Sequence, residues 1–242
     1  MNQHHQKIKF QIFEISNSKL QIPNKLQAPK FKTQNKRVKI IAEYIIESIE
    51  KAYQEGAECL IIELDTPGGL LTSTRLIVKK ILSAKIPVVV YIYPSGSRAG
   101  SAGVFITYAS HIAAMAPSTN IGAAHPVELG RGRRERSIGE ALRDLVDSFS
   151  KKDRQKKEIQ REPQREKEED ILRGKILQDT VAFIKAIARE RNRNVEWAQR
   201  SVIESASITE GEALKKGVVE IIAKDERDLL NKLDASCLLY TS

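Results

Sequence analysis

Two short apolar runs, each ending in a turn crowded with small residues, constrain this 242-residue chain more than any other feature. The first, Cys59-Leu-Ile-Ile-Glu-Leu64, stops at Asp65-Thr-Pro-Gly-Gly69; the second, Val88-Val-Val-Tyr-Ile-Tyr93, stops at Pro94-Ser-Gly-Ser-Arg-Ala-Gly100. Short β-branched runs bounded by such punctuation read as buried strands. Helical spacing surrounds them. Ile41, Ile45, Ile49 and Ala52 form one stripe that Gly56 ends as a C-terminal cap would. A second helix is expected over 72–83, and a small-residue helix from near Ser101 leads to a strand over 111–116. Strand, turn and helix alternate, which predicts an α/β fold.

Beyond this segment, a helix is expected over 171–191, built on Ile176, Thr180, Phe183, Ile184 and Ile187. Trp197 and Val202 read as core anchors of the next helix. Thr209-Glu-Gly-Glu212 is a capping box, Gly217 ends its helix, and a strand over 218–223 precedes a helix over 226–233. At the other end, residues 7–15 alternate as a strand with Ile8, Phe10 and Ile12 on one face. Residues 16–39 lose periodicity around Pro23 and Pro29.

The net charge of +9 is unevenly placed. Residues 1–39 carry +8 and form a basic N-terminal strand and arm, read as a solvated linker in preference to a patch for anionic lipid. Of residues 128–175, 27 of 48 are charged, so 128–170 reads as a surface insertion, either a lid or a solvated face. Within it, Ile138 to Phe149 has amphipathic helical spacing. The remaining core is nearly neutral and lacks the interleaved aromatics of a nucleic-acid platform, so no nucleic-acid partner is expected. Cys59 and Cys237 are too few for a disulfide framework or a zinc site, and neither metal nor cofactor is expected. No apolar run is long enough to span a membrane or to form a signal-peptide core, so the chain as given reads as soluble. Cys237-Leu-Leu-Tyr-Thr-Ser242 fits neither cap nor strand and reads as a non-native tail, the translation of a sequencing adapter.

Sites in α/β sheets gather at strand ends such as the two small-residue turns. Gly68 and Gly69 let backbone N–H groups approach a ligand, as an oxyanion hole requires. In Ala99-Gly-Ser-Ala-Gly103, Ser101 sits at a helix start, near the positive end of the helix dipole. By itself that serine reads as an ordinary N-cap.

Taken together and in order, Asp65-Thr-Pro-Gly-Gly69, Ser97-Arg-Ala-Gly-Ser-Ala-Gly103 and Ile121-Gly-Ala-Ala-His-Pro-Val127 resemble the ClpP-class serine proteases. The resemblance is closest to the NfeD-family proteases encoded beside stomatins, over residues 40–234. It implies a ClpP/crotonase-like spiral of ββα units and peptide hydrolysis by a serine nucleophile, which the motif places at Ser101, with Ser97 well behind. In these relatives the base is a lysine opening a helix that leads to an Arg-Asn turn. Lys175-Ile-Leu-Gln-Asp-Thr-Val-Ala-Phe-Ile-Lys185, followed by Arg193-Asn194, matches that pattern and makes Lys175 the base. The same carry-over assigns the oxyanion hole to the N–H groups of Gly69 and Ala102, with Gly68 beside them.

An unperturbed lysine is protonated at neutral pH, so Lys175 has to be desolvated. Ala182 and Ala186, on its helix face, are compatible with close packing, whereas Asp179 at i+4 opposes loss of the charge. His125 competes for the role, because ClpP itself uses a histidine at about this spacing from its serine. The resemblance further implies apolar peptide segments, probably of stomatin-like membrane proteins, as substrate, and a homodimer or higher homo-oligomer. It also implies membrane association through a C-terminal region that this chain lacks. A crotonase-type acyl-CoA enzyme and a catalytically silent scaffold for stomatin-like proteins are the alternatives.

Overall fold

The structure, a computed structural model, describes residues 7–13, 26–27, 34–126 and 162–235. The expected helix over 138–149, most of the 128–170 insertion and the tail at 237–242 lie outside the described residues. The chain divides into two compact units, one of residues 1–125 and 181–242 and the other of residues 126–180.

In the larger unit a six-stranded sheet runs in the order β2-β1-β3-β4-β6-β9. Its strands are β1 (Lys7–Phe13), β2 (Leu26–Gln27), β3 (Cys59–Asp65), β4 (Val88–Ile92), β6 (Ile112–Met115) and β9 (Ile221–Ile222). Parallel pairing joins β3, β4, β6 and β9, whereas β1 pairs antiparallel with β3 along its whole length, from Lys7 opposite Asp65 to Phe13 opposite Cys59. All five residues of β4 are buried, as are the first six of β3. Burial on both faces explains why these strands read as unbroken apolar runs rather than alternating ones.

Cys59, Ile61, Val89, Tyr91, Ile112 and Ala114 share one core cluster with Leu229, Leu230 and Leu233 of the helix Glu226–Ala235. Tyr91 secures this side by donating its hydroxyl to the carbonyl of Ala223 at 2.6 Å. Alternation along the strands turns Leu60, Ile62, Leu64, Val88, Val90 and Ile92 to the opposite face. There α1 (Gln34–Gln54), α2 (Leu71–Leu82) and α3 (Ala102–Ala109) pack in succession, with Ile45, Ile49, Ile77 and Ile81 buried. Every residue of α3 is buried.

A second sheet, absent from the sequence reading, has the order β5-β7-β8, from Arg98–Ala99, Asn120–Gly122 and Ser207–Thr209. Strands of two or three residues carry too few positions to show a period. The expected capping box is present, with Thr209 Oγ1 accepting from Glu212 N and the Glu212 carboxylate accepting from Thr209 N. Trp197 and Val202 are buried in α5 (Val195–Ile203), as expected. The strand expected over 218–223 shrinks to Ile221–Ile222, and the long helix, α4, runs from Glu162 to Glu190, starting nine residues earlier than its apolar stripe suggested.

His111, at the start of β6, accepts a hydrogen bond on Nδ1 from the Val88 N–H. Burial, then the Arg191 and Arg193 charges, lower its pKa to about 4. The unfolded chain, with an ordinary histidine near 6.5, therefore binds more protons than the folded one between those values. The contribution of His111 to stability is complete above about pH 6.5 and is lost as pH falls towards 4. Urea titrations across this window should show a shallower decline for His111→Gln than for the unsubstituted chain; parallel slopes would contradict the assignment.

Candidate active site

The two small-residue turns are laced together through Thr66. Its N–H donates to the carbonyl of Arg98 at 2.8 Å, and its carbonyl accepts from Gly100 N at 2.9 Å, closing a parallel bridge to Ala99. Asp65 Oδ1 accepts from Arg98 N, and Thr66 Oγ1 accepts from Gly68 N at 3.1 Å. The turn after β3 is thereby pinned against the turn that opens α3.

The contact is too close for side chains. A Cβ on Gly100 would stand 2.8 Å from the Pro67 carbonyl oxygen, and one on Gly103 would stand 2.8 Å from Thr66 Cγ2. Gly68, at φ +144°, would place a Cβ 2.9 Å from the Cβ of Ser101. The small residues are therefore required by backbone approach.

Ser101 sits at φ 47° and ψ −105°, outside the regions that L-residues ordinarily occupy. A conformation of this kind costs about 1–3 kcal/mol and persists where the surroundings hold it. Here Ser101 N donates to the Ala123 carbonyl at 2.6 Å, and Gly103 N and Val104 N close back onto Gly100 and Ser101. The N-cap reading of this serine fails, because its side chain makes no capping bond to α3. Its hydroxyl instead stands beside Gly68, half-exposed. Ala102, the first helical residue, presents an N–H that helix geometry leaves without an intrahelical acceptor. Gly69, in the facing turn, is exposed.

An apolar pocket opens between these turns and the helices. Ile41 and Ile45 of α1, Leu70 and Ile77 on the α2 side and Ile106 of α3 line it, along with Gly68, Gly69 and Ala102. Ile41 and Ile45 lie on the apolar stripe of α1, so periodicity alone does not reveal their second role as pocket wall. Ser97 is buried in its turn.

Ser101, Gly68, Gly69 and Ala102 thus come together in the larger unit, whereas Lys175 belongs to the smaller one. Two expectations about Lys175 are corrected. It lies within α4 rather than at its start, because charged residues from Glu162 onward continue the helix. Its stripe is also exposed: Lys175, Ala182 and Ala186 face outward, while Thr180, Val181, Ile184, Ile187 and Ala188 form the buried side. The buried side of α4 is centred about half a turn away from the stripe that Lys175 heads. His125 is in the larger unit and donates from Nδ1 to the Val202 carbonyl at 2.8 Å, which leaves Nε2 as its basic nitrogen.

A family model described as the N-terminal domain of NfeD1b matches residues 33–158. The chain is 38% identical over 181 residues to the membrane-bound protease PH1510 of Pyrococcus horikoshii, a match covering 75% of the chain and 34% of that protein. It is 34% identical over 92 residues to the membrane protein NfeD1b of Bacillus subtilis, covering 38% of the chain and 20% of that protein. The chain therefore spans about a third or less of the length of these curated relatives. Among solved structures, a serine-to-alanine variant of the 1510-N membrane-bound stomatin-specific protease is similar at 36% identity and a TM-score of 0.58, covering 79% of this chain and 77% of that one. A lysine-to-alanine variant of the same protease, in complex with a substrate peptide, follows at 35% identity and 0.57, covering 79% and 72%. ClpP1 from Listeria monocytogenes, 16% identical with a TM-score of 0.50 over 78% of this chain and 87% of that one, shares the fold. The α/β fold is of the ClpP type.

The close approach at the two turns has a direct consequence for stability. Gly68→Ala and Gly100→Ala should each destabilise the chain by about 1–3 kcal/mol, through left-handed strain at the first and a backbone clash at the second. Gly211→Ala, where a Cβ meets nothing within 4 Å, should be neutral or stabilising. Thermal unfolding of the three variants checks the contrast, and equal melting shifts would contradict it.

Proposed function

The chain belongs to the family of the NfeD1b N-terminal domain, and from that premise we propose that it is a serine endopeptidase in which Ser101 is the nucleophile and Lys175 the base. The observation that carries this reading is the backbone of Ser101. A strained turn at a helix start, with the hydroxyl not used as a cap, is the arrangement that presents a serine to a substrate carbonyl. The 1510-N protease, studied as a serine variant and as a lysine variant with bound substrate peptide, supports a reading in which a serine and a lysine work together.

In the proposed reaction, Ser101 Oγ attacks the scissile carbonyl carbon as its proton passes to the neutral amine of Lys175. The oxyanion forms between the N–H groups of Gly69 and Ala102, where one donor is typically worth about 2.7–4 kcal/mol. Collapse of the tetrahedral intermediate breaks the C–N bond, and the Lys175 ammonium returns the proton to the departing amine. Water, deprotonated by the same lysine, then hydrolyses the acyl-enzyme. For Lys175 to act as the base its charged form has to be disfavoured, and burial of the amine beneath bound substrate would do this.

The pocket beside Gly68 supports an apolar side chain on the acyl side of the cleaved bond. Apolar segments of a stomatin-like membrane protein are the substrate class proposed, a homo-oligomer is the proposed assembly, and membrane association belongs to the longer protein. Among the described residues, no helix is long and apolar enough to cross a membrane.

Two measurements test the reading. With an apolar peptide substrate and a fluorophosphonate probe, Ser101→Ala should lose labelling and at least about a thousandfold in cleavage rate. Lys175→Ala should lose cleavage to a similar degree. Cleavage that survives in Lys175→Ala and disappears in His125→Ala would move the base to His125, whereas an unsubstituted chain that neither labels nor cleaves would favour the silent scaffold. Separately, Leu70→Trp narrows the pocket mouth and should cut cleavage after leucine relative to alanine by about tenfold or more. An unchanged ratio would place the specificity pocket elsewhere.

A further inference from the structure

The helix that begins at Ser101 is held just as firmly at its other end. Arg193 is buried, with its side chain 1% exposed. Its Nη1 donates to the carbonyls of Thr107, Tyr108 and Ser110 at 3.2, 2.8 and 2.9 Å. Its Nε and Nη2 donate to Glu220 Oε1 and Oε2 at 2.8 and 2.7 Å. Glu220 is itself fixed, because Oε2 also accepts from Ala113 N of β6. Arg191 adds a bond from Nε to the Ala109 carbonyl at 2.9 Å, and Tyr108 donates its hydroxyl to the Asn194 carbonyl. The carbonyls of Thr107 and Tyr108 in the last turn of α3, and that of Ser110 just beyond it, are gathered onto one guanidinium.

We infer that Arg193 is a positioning residue for Ser101, acting through the whole length of α3; the inference rests on the endopeptidase reading above. Eight residues make a helix about 12 Å long, short enough that its two ends move together. Since all eight are buried, the segment has no solvated face through which to relax, and its axial placement is set by what holds each end. At the N-terminal end the Ala123 carbonyl and the Thr66 bridge hold the turn. At the C-terminal end the one group that spans three carbonyls and a carboxylate is the Arg193 fork, a geometry a lysine ammonium cannot reproduce. Arg193 and Glu220 together carry no net charge, so their combined field at the far end of the helix is small. Their effect on the reaction is therefore one of placement, and it falls on the chemical step more than on substrate binding.

The test uses the whole chain as Arg193→Lys, Arg193→Ala and Glu220→Gln, with the exposed Arg200→Ala as control and circular dichroism to establish folding. Arg193→Lys should lower kcat and the fluorophosphonate labelling rate by about tenfold to a hundredfold while KM stays within about twofold. Added millimolar guanidinium should restore part of the rate to Arg193→Ala and leave the unsubstituted chain unchanged. Amide hydrogen exchange at 100–104 should quicken in Arg193→Lys while exchange at 226–235 does not. A folded Arg193→Lys with unaltered kcat, labelling and exchange at 100–104 overturns the inference, as does a loss confined to KM. If both arginine variants fail to fold, Glu220→Gln decides: a smaller fall in kcat and faster exchange at 100–104 support the inference, and no change in either overturns it. Because exchange is read without catalysis, an inactive unsubstituted chain would overturn the endopeptidase reading and leave the exchange comparison to judge Arg193.

Discussion

The backbone of Thr66 holds the two halves of the site in register. The N–H of this residue donates to the Arg98 carbonyl and its C=O accepts from Gly100 N, so the turn after one strand and the turn before the buried helix act as a single surface. Backbone hydrogen bonds of this kind place two chain segments at fixed separation, and here the separation leaves no room for a Cβ at Gly68, Gly100 or Gly103. The small residues of both motifs follow from this pairing. A bulkier residue at any of the three would force the turns apart, carrying Ser101 away from Gly68 and Gly69.

The strain at Ser101 is intelligible in the same terms. A left-handed serine is unfavourable in isolation, yet its N–H is bound to Ala123 and the amides of Gly103 and Val104 close onto the carbonyls of Gly100 and Ser101. Those bonds fix the peptide planes on both sides of the residue and leave it no alternative. The side chain makes no capping bond to α3 and stands beside Gly68. The neighbouring apolar pocket is walled by residues of α1 and α3 and of the α2 side, together with the glycines of the facing turn.

Much of this was legible beforehand. Strands at 59–65 and 88–92, the helix carrying Ile41, Ile45, Ile49 and Ala52, the helix over 71–82, the capping box at Thr209 and the core roles of Trp197 and Val202 all followed from periodicity and end signals, although α1 begins at Gln34, inside the stretch expected to be an arm. Strands of two or three residues were not legible, because pairing partners rather than side-chain period create them. The orientation of Lys175 was misjudged for a related reason. Ala182 and Ala186 are small enough to pack closely, but small residues are equally at home on an exposed face, and the larger Val181, Ile184 and Ile187 decide which side of α4 is buried. Arg193 was visible only as half of a turn, since nothing local distinguishes an arginine that will meet three carbonyls 83–86 residues away in sequence from one that will meet water.

The sequence by itself determined the α/β class, the order of elements and the three motifs that tie this chain to ClpP-type proteases, because those depend on local propensity and on residue identity at fixed spacing. Tertiary structure alone decided the conformation of Ser101, the second sheet, the exposed face of Lys175 and the burial of Arg193. Each of these rests on hydrogen bonds or packing between segments far apart in the chain, whose energies no local pattern encodes.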